Sequence, residues 1–443
     1  MTDKPKQEQP EAVSETARRA GDIRSRWDWV EASVWTERML EALEQGVKGG
    51  RWYSLMDKVA REANLRAAFR AVKARKGAPG VDHVTVEQFE QQLDDNVEKI
   101  ERQLKDGSYR PNANRRKWIA KPGSREKRPL GIPTVRDRVT ETALKQVLEP
   151  IFERDFAEHS YGFRPKRGCK DALRRVQKLL EQGYVWVVDA DIRSYYDTIP
   201  KQPLLEKVEE KVTDSRVAKV VNDFLDQEIM EEMNHWTPEE GTPQGAVISL
   251  LLSNIYLNPL DHQMAEAGYR MTRYADDFVI QCQTEQEARE ALASVEQWMT
   301  EHQLTLHPEK TRIVDARQAG GFEFLGYHFE RGYKWPRKKS WKKIRENLRK
   351  KTKRTNGQSL DEIIARVNRS LRGWYEYFKH SHKPTFRDMD GWVRGRLRAI
   401  LRKRSKRRGV AKGGDHQRWP NAYFAKHGLF SLEQAHAQAC QSS

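Results

Sequence analysis

The chain has 443 residues, of which 33% are charged and 37% hydrophobic, and it carries a net charge of +17. This length allows two or three domains, and no apolar run approaches the roughly 20 residues of a membrane span, which argues against a membrane protein. Three cysteines (Cys169, Cys282 and Cys440) without a Cys-x-x-Cys pair argue against disulfides and structural zinc, and predict a reducing, cytoplasmic location.

The excess positive charge lies in the last quarter of the chain. Residues 331–443 contain 31 lysines and arginines against 8 aspartates and glutamates, whereas the preceding 330 residues carry a net charge of −6. A basic block of this kind most often meets a polyanion, with nucleic acid the first expectation and an anionic membrane surface the second. A nucleic-acid partner is therefore predicted.

The N-terminal third of the chain is predicted to be mostly helical. Residues 1–25 are polar and include acids, so they are interpreted as a disordered lead rather than a signal peptide. Helices are predicted over about Trp27–Gln45 and Arg66–Arg75, the second ended by the Gly/Pro turn KGAPGVD at Lys76–Asp82.

The next segments mix short strands with helices. Basic residues punctuated by Gly and Pro predict strands and loops over Arg115–Arg138, followed by a helix over Arg138–Phe156. The stretch SYGFRPKRGCKDALRRVQKLL begins as a loop and is predicted to become helical near Lys170.

Two segments bring carboxylates to the ends of predicted strands. VWVVDADI (Val185–Ile192) is β-branched and predicts a buried strand, with Asp189 and Asp191 on one face. RYADDFVIQCQ predicts a hairpin over Arg270–Cys282, with residues 275–277 at the turn. Paired aspartates at a turn are common in solvated hairpins, but they are also typical of a divalent-metal site. The spacing permits the strand and the hairpin to converge on a two-metal site.

The basic tail predicts two helices. Ser359–Glu362 has the capping-box form and starts an amphipathic helix that runs to Phe378. The segment Arg394–Gly409 predicts a second, strongly basic helix. Such helices suit nucleic-acid phosphates, and the residues expected to contact them are Arg366, Arg369, Arg372, Lys379, Arg394 and Arg398.

Ordered sequence blocks resemble group II intron-encoded reverse transcriptases with a maturase region, and the likeness runs from about Val34 to Leu432. The polymerase blocks are KGAPGVD, KRPLGIPTVRDR, SYGFRPKRG, VDADIRSYYD, GTPQGAVISLLLSNIYL, YADD, LTLHPEKT and FEFLGYHF. The maturase-like and DNA-binding blocks are LRGWYEYFKH and RWPNAYF.

The resemblance implies an α+β right-hand polymerase with fingers, an antiparallel palm sheet and a basic helical thumb. The implied domains are fingers and palm over 26–330, thumb and maturase over 331–400, and a DNA-binding segment over 401–443. The chain shows no H-N-H pattern or cysteine pairs after RWPNAYF, so we expect no endonuclease that cuts a second DNA strand.

The resemblance also implies the catalytic centre. The family's three aspartates fall on Asp191, Asp276 and Asp277, which would hold two Mg²⁺ ions with the backbone carbonyl of Ile192 as a further ligand. Asp189 and Asp197 are interpreted as structural, because a further carboxylate would over-fill the site.

Matching blocks imply the residues around the nucleotide. Lys121 and Arg128 would reach the triphosphate, and Gln244 would border the minor groove. Tyr196 would exclude a 2′-hydroxyl, or else simply pack beside Tyr195. Two further assignments are made in this way: Lys310 to the leaving group, with a helix-end salt bridge as the alternative, and Arg164 to nucleic-acid binding.

The implied function is RNA-directed DNA synthesis together with maturase action on intron RNA, supporting intron mobility by target-primed reverse transcription. The expected partners are group II intron RNA, an RNA template, a DNA primer or target, and dNTPs. Two alternatives stay open: a splicing cofactor that binds RNA without polymerising, and a reverse transcriptase recruited to defence or repair. The cognate intron, the DNA target and the oligomeric state are not specified by the sequence.

Overall fold

The computed structural model describes residues 23–120, 127–232, 234–243, 245–407 and 413–441. In these residues three β-sheets and their helices form two hydrophobic cores, the first built mainly from residues 23–306 and the second mainly from residues 316–432. None of the described helices is both long and apolar enough to cross a membrane.

Helices dominate the N-terminal region, as the sequence predicts. They are α1 (Glu37–Gln45), α2 (Met56–Val59), α3 (Glu62–Arg75), α4 (Val86–Gln91) and α5 (Leu93–Asp106), with a 3-10 turn at Lys48–Gly50. The single helix predicted from Trp27 is wrong, because Thr36 caps α1 by accepting a hydrogen bond from the Met39 amide. Most of the predicted disordered lead lies outside the described residues, although Ile23 is buried in the first core.

The first sheet corresponds to the fingers and has the strand order β2-β1-β4-β5. Its strands are β1 (Asn114–Ala120), β2 (Lys127–Ile132), β4 (Ile229–Glu231) and β5 (Asn234–Trp236). Strands β1 and β2 form an antiparallel hairpin, and β4 joins β1 in parallel. The strands and loops predicted over Arg115–Arg138 are confirmed for residues 115–120 and 127–134, and a helix begins at Val135; residues 121–126 lie outside the described residues.

The second sheet is the palm, and all its strand pairs are antiparallel, in the order β6-β7-β3-β8. Its strands are β3 (Trp186–Asp191), β6 (Arg270–Tyr274), β7 (Asp277–Cys282) and β8 (Arg312–Asp315). The surrounding helices are α6 (Val135–Glu153), α7 (Cys169–Glu181), α8 (Tyr195–Thr198), α9 (Lys201–Glu209), α10 (Ser215–Leu225), α11 (Ser249–Glu266) and α12 (Glu285–Glu301). The predicted strand and hairpin are confirmed.

The C-terminal region combines a small antiparallel sheet with helices. The strands are β9 (Phe322–Phe324), β10 (Tyr327–Glu330) and β11 (Tyr333–Pro336), and the helices are α13 (Lys338–Lys351), α14 (Leu360–Phe378), α15 (Pro384–Arg404), α16 (Gly413–Arg418), α17 (Asn421–Lys426) and α18 (Leu432–Gln441). The predicted capping box at Ser359 and the apolar stripe of α14 are confirmed. The domain boundary predicted at residue 400 falls inside α15, and the last helices pack into the same core as α14.

The architecture is α+β, with an antiparallel palm sheet followed by a helical C-terminal region, as the sequence predicts. β3 lies next to β7 in the palm sheet and pairs with it in an antiparallel register. The C-terminal end of β3 therefore lies beside the turn of the β6–β7 hairpin. This placement builds the candidate site.

Candidate active site

Cross-strand pairing places two of the predicted catalytic aspartates side by side. Asp191 ends β3, Asp277 begins β7, and the two residues are direct partners in the antiparallel register. Directly opposite side chains lie on one face of a sheet, with Cβ atoms about 4.5–5.5 Å apart. Asp189, two residues earlier on the same face, is opposite Arg312 on β8 and accepts hydrogen bonds of 3.2 and 3.3 Å from it. This pairing agrees with a structural role for Asp189.

The hairpin turn is tighter than predicted and contains only Ala275 and Asp276. Tyr274 and Asp277 pair directly across it, and Ala275 has a φ of +60°. An L-residue in this left-handed region costs about 1–2 kcal/mol. The surrounding structure must therefore hold the turn that presents Asp276.

A buried arginine braces this turn. Arg273 is fully buried, and its guanidinium pairs with both carboxylate oxygens of Asp261 on α11. The same guanidinium donates 2.9 Å to the carbonyl oxygen of Ala275 and 3.0 Å to Asn254 Oδ1. The carbonyl of the turn is thus tied to a helix through a buried ion pair.

The SYGF segment closes the other side of the turn. The Tyr161 amide donates to the Arg273 carbonyl at 2.9 Å, and Asn254 Nδ2 donates to the Gly162 carbonyl at 2.8 Å. A Cβ atom on Gly162 would overlap the backbone nitrogen of Ala275. Glycine is required here because two backbones approach too closely for any side chain.

Crowding of like charges marks the site electrostatically. Burial raises the pKa of Asp277 to about 7, and the charges of neighbouring carboxylates add to the shift. These neighbours are Asp276, Asp189 and Asp191. Burial also raises the pKa of Asp276, with Asp191 adding to the shift and Arg128 opposing it. Each carboxylate therefore disfavours the ionised form of the next, and a bound cation would relieve this repulsion.

The donor set fits a hard divalent cation, since all the candidate ligands are oxygens. The backbone carbonyl of Ile192 is a further candidate ligand. On one side of the strand, the Arg193 amide donates to the Thr305 carbonyl and the Asp191 carbonyl accepts from the His307 amide. The Ile192 carbonyl therefore points to the opposite side, where β7 lies.

The candidate carboxylates are neighbours, but their oxygens do not converge on a single position. Within the described residues, no three His, Cys, Asp or Glu side chains form a preassembled metal site. The carboxylate of Asp191 instead pairs with the ammonium group of Lys310. Lys310 therefore lies at the candidate catalytic carboxylates, and its salt bridge is formed with Asp191 at the end of a strand rather than at a helix end.

Tyr196 lies beside the carboxylates on the side of the PQG segment. Its ring packs at 5.5 Å from that of Tyr195, and its backbone carbonyl accepts a 2.7 Å hydrogen bond from the Thr242 amide. Gly241 has a φ of +90°, and a Cβ atom there would overlap backbone atoms of Tyr196 and Asp197. The tyrosine is thus held by the backbone and is half-buried.

Of the two cations assigned to the triphosphate, the structure describes Arg128, which lies on the β1–β2 hairpin. Arg128 is exposed on β2, opposite Ile119, and is close enough to lower the pKa of Asp276. Lys121 and Gln244 lie outside the described residues. Gly245, next to Gln244, has a φ of +116° and packs against the carbonyl of Gly131, which connects the PQG segment to the base of this hairpin.

The assignment of Arg164 to nucleic-acid binding needs correction. Its guanidinium is only 2% exposed and is paired with both carboxylate oxygens of Glu153. It also donates to the carbonyls of Ala157, Ser160 and Phe156. All its donors face inward, so Arg164 anchors the SYGFRP loop rather than presenting a charge to phosphates.

The basic residues of α14 have a different environment. Arg366, Arg369 and Arg372 are exposed on the face opposite the apolar stripe, whereas Lys379 is half-buried near Glu376. Nearby, burial lowers the pKa of Lys351, and the charges of Arg369 and Arg366 lower it further. Cations that crowd together in this way form a surface suited to a polyanion.

Of the two arginines assigned on α15, Arg398 is buried and Arg394 is half-buried. Arg398 is 2% exposed and donates to the Trp419 carbonyl and to Asn421 Oδ1, at 2.9 and 2.8 Å. Arg394 is half-buried beside Asp390, with 3.9 Å between charged atoms. Arg398 is therefore a packing residue, and the prediction that it contacts nucleic acid is wrong.

Two residues that were not predicted from the sequence hold the backbone segments that form the site. Arg273 directly precedes YADD, so its position was visible, but nothing in the pattern showed that it is buried. Glu141 on α6 is fully buried, accepts hydrogen bonds from the amides of Val247 and Ile248, and has its pKa raised to about 8 by burial. It holds the segment that follows PQG, and no local signal indicated this role.

The palm sheet, the aspartate-tipped hairpin and the basic helical C-terminal region define a right-hand polymerase fold. Residues 119–329 match the family Reverse transcriptase (RNA-dependent DNA polymerase), and residues 341–419 match the Group II intron, maturase-specific domain.

The chain is similar to several known proteins. Protein YkfC of Escherichia coli (strain K12) is 32% identical over 308 residues, covering 60% of this chain and 80% of YkfC. The group II intron-encoded protein LtrA of Lactococcus lactis subsp. cremoris is 36% identical over 208 residues, covering 46% of this chain and 34% of LtrA. The match thus spans about a third of LtrA. A chain of a partial Cas6-RT-Cas1–Cas2 complex is 24% identical, with a TM-score of 0.37, covering 56% of this chain and 42% of that one.

The chain therefore belongs to the family of group II intron-encoded reverse transcriptases and maturases.

Proposed function

We propose that this protein is an RNA-directed DNA polymerase that also binds intron RNA as a maturase. The observation that carries the polymerase activity is the register pairing of Asp191 with Asp277, with Asp276 held at the adjoining turn. Closely spaced carboxylates repel one another, and they would also repel the phosphates of a polyanion, unless they bind cations.

Asp191, Asp276 and Asp277, with the Ile192 carbonyl, would hold two Mg²⁺ ions. When bound, such ions lower the pKa of the primer 3′-hydroxyl and neutralise the charge of the triphosphate and of the leaving pyrophosphate. The Arg273–Asp261 pair keeps the hairpin turn in place, so that its carboxylates do not reorganise during the reaction.

Other residues of the chain bind and orient the nucleotide. Arg128, exposed on the fingers hairpin, would draw the triphosphate towards the carboxylates. Lys310, already beside Asp191, would donate a hydrogen bond or a proton to the leaving oxygen. Lys121 and Gln244 are proposed for the triphosphate and for the minor groove on the basis of their sequence blocks alone.

Replacing Tyr196 by Ala is expected to admit ribonucleotides. The ring of Tyr196 packs against that of Tyr195, and its backbone carbonyl accepts a hydrogen bond from the Thr242 amide, so the ring is held in place where a 2′-hydroxyl would clash with it. We expect discrimination between dNTP and rNTP to fall by about 100-fold, equivalent to about 2.7 kcal/mol. Single-nucleotide incorporation with matched dNTP and rNTP measures the ratio of kcat/KM values. Tyr195→Phe is the control, because it retains the neighbouring ring, and unchanged sugar selectivity in Tyr196→Ala would count against the gate.

Maturase action is proposed to be binding, with the RNA supplying its own splicing chemistry. The exposed cations of α14 are the proposed contacts, and the crowding around Lys351 supports this choice. Intron mobility by target-primed reverse transcription would then join both activities on one RNA.

Removing Arg369 and Arg372 together, as a double Ala variant, is expected to weaken intron RNA binding and its salt dependence. Each lost phosphate contact should reduce the slope of log K against log[salt] by about 0.7–0.9. Filter binding of intron RNA at several salt concentrations provides the measurement. Arg289→Ala on α12 is the matched control, since it removes an exposed arginine that pairs with Glu285 in the palm. Equal slopes in the wild type and the double variant would contradict the proposal.

A further inference from the structure

The loop before α7 exposes an aromatic residue in a strained conformation. Phe163 has a φ of +57°, which a bulky L-residue rarely adopts, and its side chain is 41% exposed. The residues on either side are immobilised, Gly162 against the YADD turn and Arg164 in its buried pairing with Glu153. The fold thus holds Phe163 in an unfavourable conformation while leaving 41% of its surface exposed.

Strain retained at an exposed aromatic residue indicates a function, since strained residues cluster at functional sites. The Phe163 ring lies 6.1 Å from the ring of Tyr274, the residue that pairs with Asp277 at the catalytic turn. Tyr274 packs against the second hydrophobic core, as does Tyr377 of α14. Phe163 therefore lies at the surface where the catalytic hairpin meets the C-terminal helices.

Cations from α7 and from the C-terminal region lie near His380, at the end of α14. Burial lowers the pKa of His380, and the charges of Lys334 and Lys379 from the C-terminal region and of Lys170 and Arg174 from α7 lower it further. The helix α7 follows the loop that exposes Phe163. Cations for phosphates and an exposed ring for sugars and bases are the combination that nucleic-acid surfaces use.

Tyr196 and the PQG segment occupy the nucleotide side of the carboxylates, whereas Phe163 lies on the side of the C-terminal helices. We propose that Phe163 is a primer-positioning residue, whose ring contacts the sugar and base edges of the primer–template hybrid just behind the growing end. This inference rests on the proposed polymerase function and adds a contact to the same site.

The strain allows a test that separates stability from function. Phe163→Gly removes the ring and also relieves the backbone, because glycine adopts a positive φ without penalty. We expect an unchanged or raised Tm, together with a rise of about 10-fold in the Kd and in the KM for an RNA template–DNA primer hybrid. The KM for dNTP should stay within about twofold of wild type, and Phe163→Tyr, which keeps a ring, should restore hybrid binding.

Lys166→Gly is the matched control. Lys166 has the same φ of +57° in the same loop, but it pairs with Asp28 away from the catalytic turn. Relieving strain there should leave hybrid binding unchanged. Wild-type hybrid affinity in Phe163→Gly, or a lowered Tm that Phe163→Tyr fails to restore, would overturn the inference.

Hybrid binding is measured by fluorescence anisotropy without dNTPs, so it does not depend on extension. A wild-type protein that binds the hybrid without extending the primer contradicts the polymerase proposal, and the comparison of Phe163→Gly with wild type then decides the Phe163 contact alone. A wild type that extends the primer, with no difference in Phe163→Gly, overturns only the positioning role.

Discussion

Replacing Asp276 by Asn is expected to reduce DNA synthesis by at least about 10³-fold, equivalent to about 4 kcal/mol of transition-state stabilisation, while intron RNA binding is retained. The turn that carries Asp276 is fixed by Arg273 and Gly162, so the amide would occupy the same place without the charge that a divalent cation requires. RNA-assisted splicing should also be retained, because its proposed contacts lie on α14. Primer extension, RNA binding and splicing assays with one preparation provide the comparison.

Asp189→Asn is the matched control for this loss. Asp189 lies on the same strand face as Asp191, but it is neutralised by Arg312 on β8, so we expect most of the polymerase activity to remain. An equal loss in the two variants would contradict the assignment of the catalytic trio. Loss of splicing as complete as that of a deletion would contradict the separation of the two roles.

The metal-free stability of Asp276→Asn gives a second control. The pKa of Asp276 is raised in the folded state by burial and by Asp191. An acid with a raised folded pKa destabilises the fold once pH exceeds its unfolded pKa, and the full cost is present above the folded pKa. Asparagine removes this cost, so the Tm without metal at pH 8 should be equal to or above that of wild type. A lowered Tm would mean that the activity loss reflects misfolding.

Replacing Arg273 by Met is expected to lower the free energy of unfolding by about 3–5 kcal/mol, because it leaves the Asp261 carboxylate buried without its partner. The carbonyl of Ala275 also loses its donor, so the strained turn is released and polymerase activity should fall as well. Urea unfolding followed by circular dichroism measures the stability.

The double variant Arg273→Met/Asp261→Leu separates the charge from the packing. It removes the uncompensated carboxylate, and we expect it to recover more than half of the lost stability. It should not recover polymerase activity, since the brace on the turn is still absent. Arg289→Met, which breaks an exposed pair on α12, should change stability by no more than about 0.5 kcal/mol. A single Arg273→Met change as mild as this would show that the buried pair does not hold the hairpin.

The palm could be predicted from sequence because its signals are local. Val185–Ile192 is a β-branched run that ends in acids, and apolar segments flank the YADD turn. The strands and the approximate position of the turn therefore followed directly. The antiparallel register between Asp191 and Asp277 is a consequence of β3 lying next to β7. The spacing permitted the strand and the hairpin to converge but did not specify that these two strands are neighbours.

Burial of charged residues was the part that the sequence could not show. Arg164 and Arg398 stand among other cations, as Arg366 and Arg369 do, yet the first two are buried against Glu153 and the Trp419 carbonyl. A basic stretch shows how many charges a segment has, but the side that each one faces depends on tertiary packing. Thr36, which starts α1 nine residues after the predicted start, is a cap whose signal was outweighed by the apolar spacing around it.

The most direct test of the account is extension of a DNA primer on an RNA template by the wild-type protein, with dNTPs and Mg²⁺. The account predicts full-length DNA that requires the divalent cation and the RNA template. A folded protein that binds intron RNA but produces no extended primer would contradict it, and would leave an RNA-binding splicing cofactor as the function of this chain.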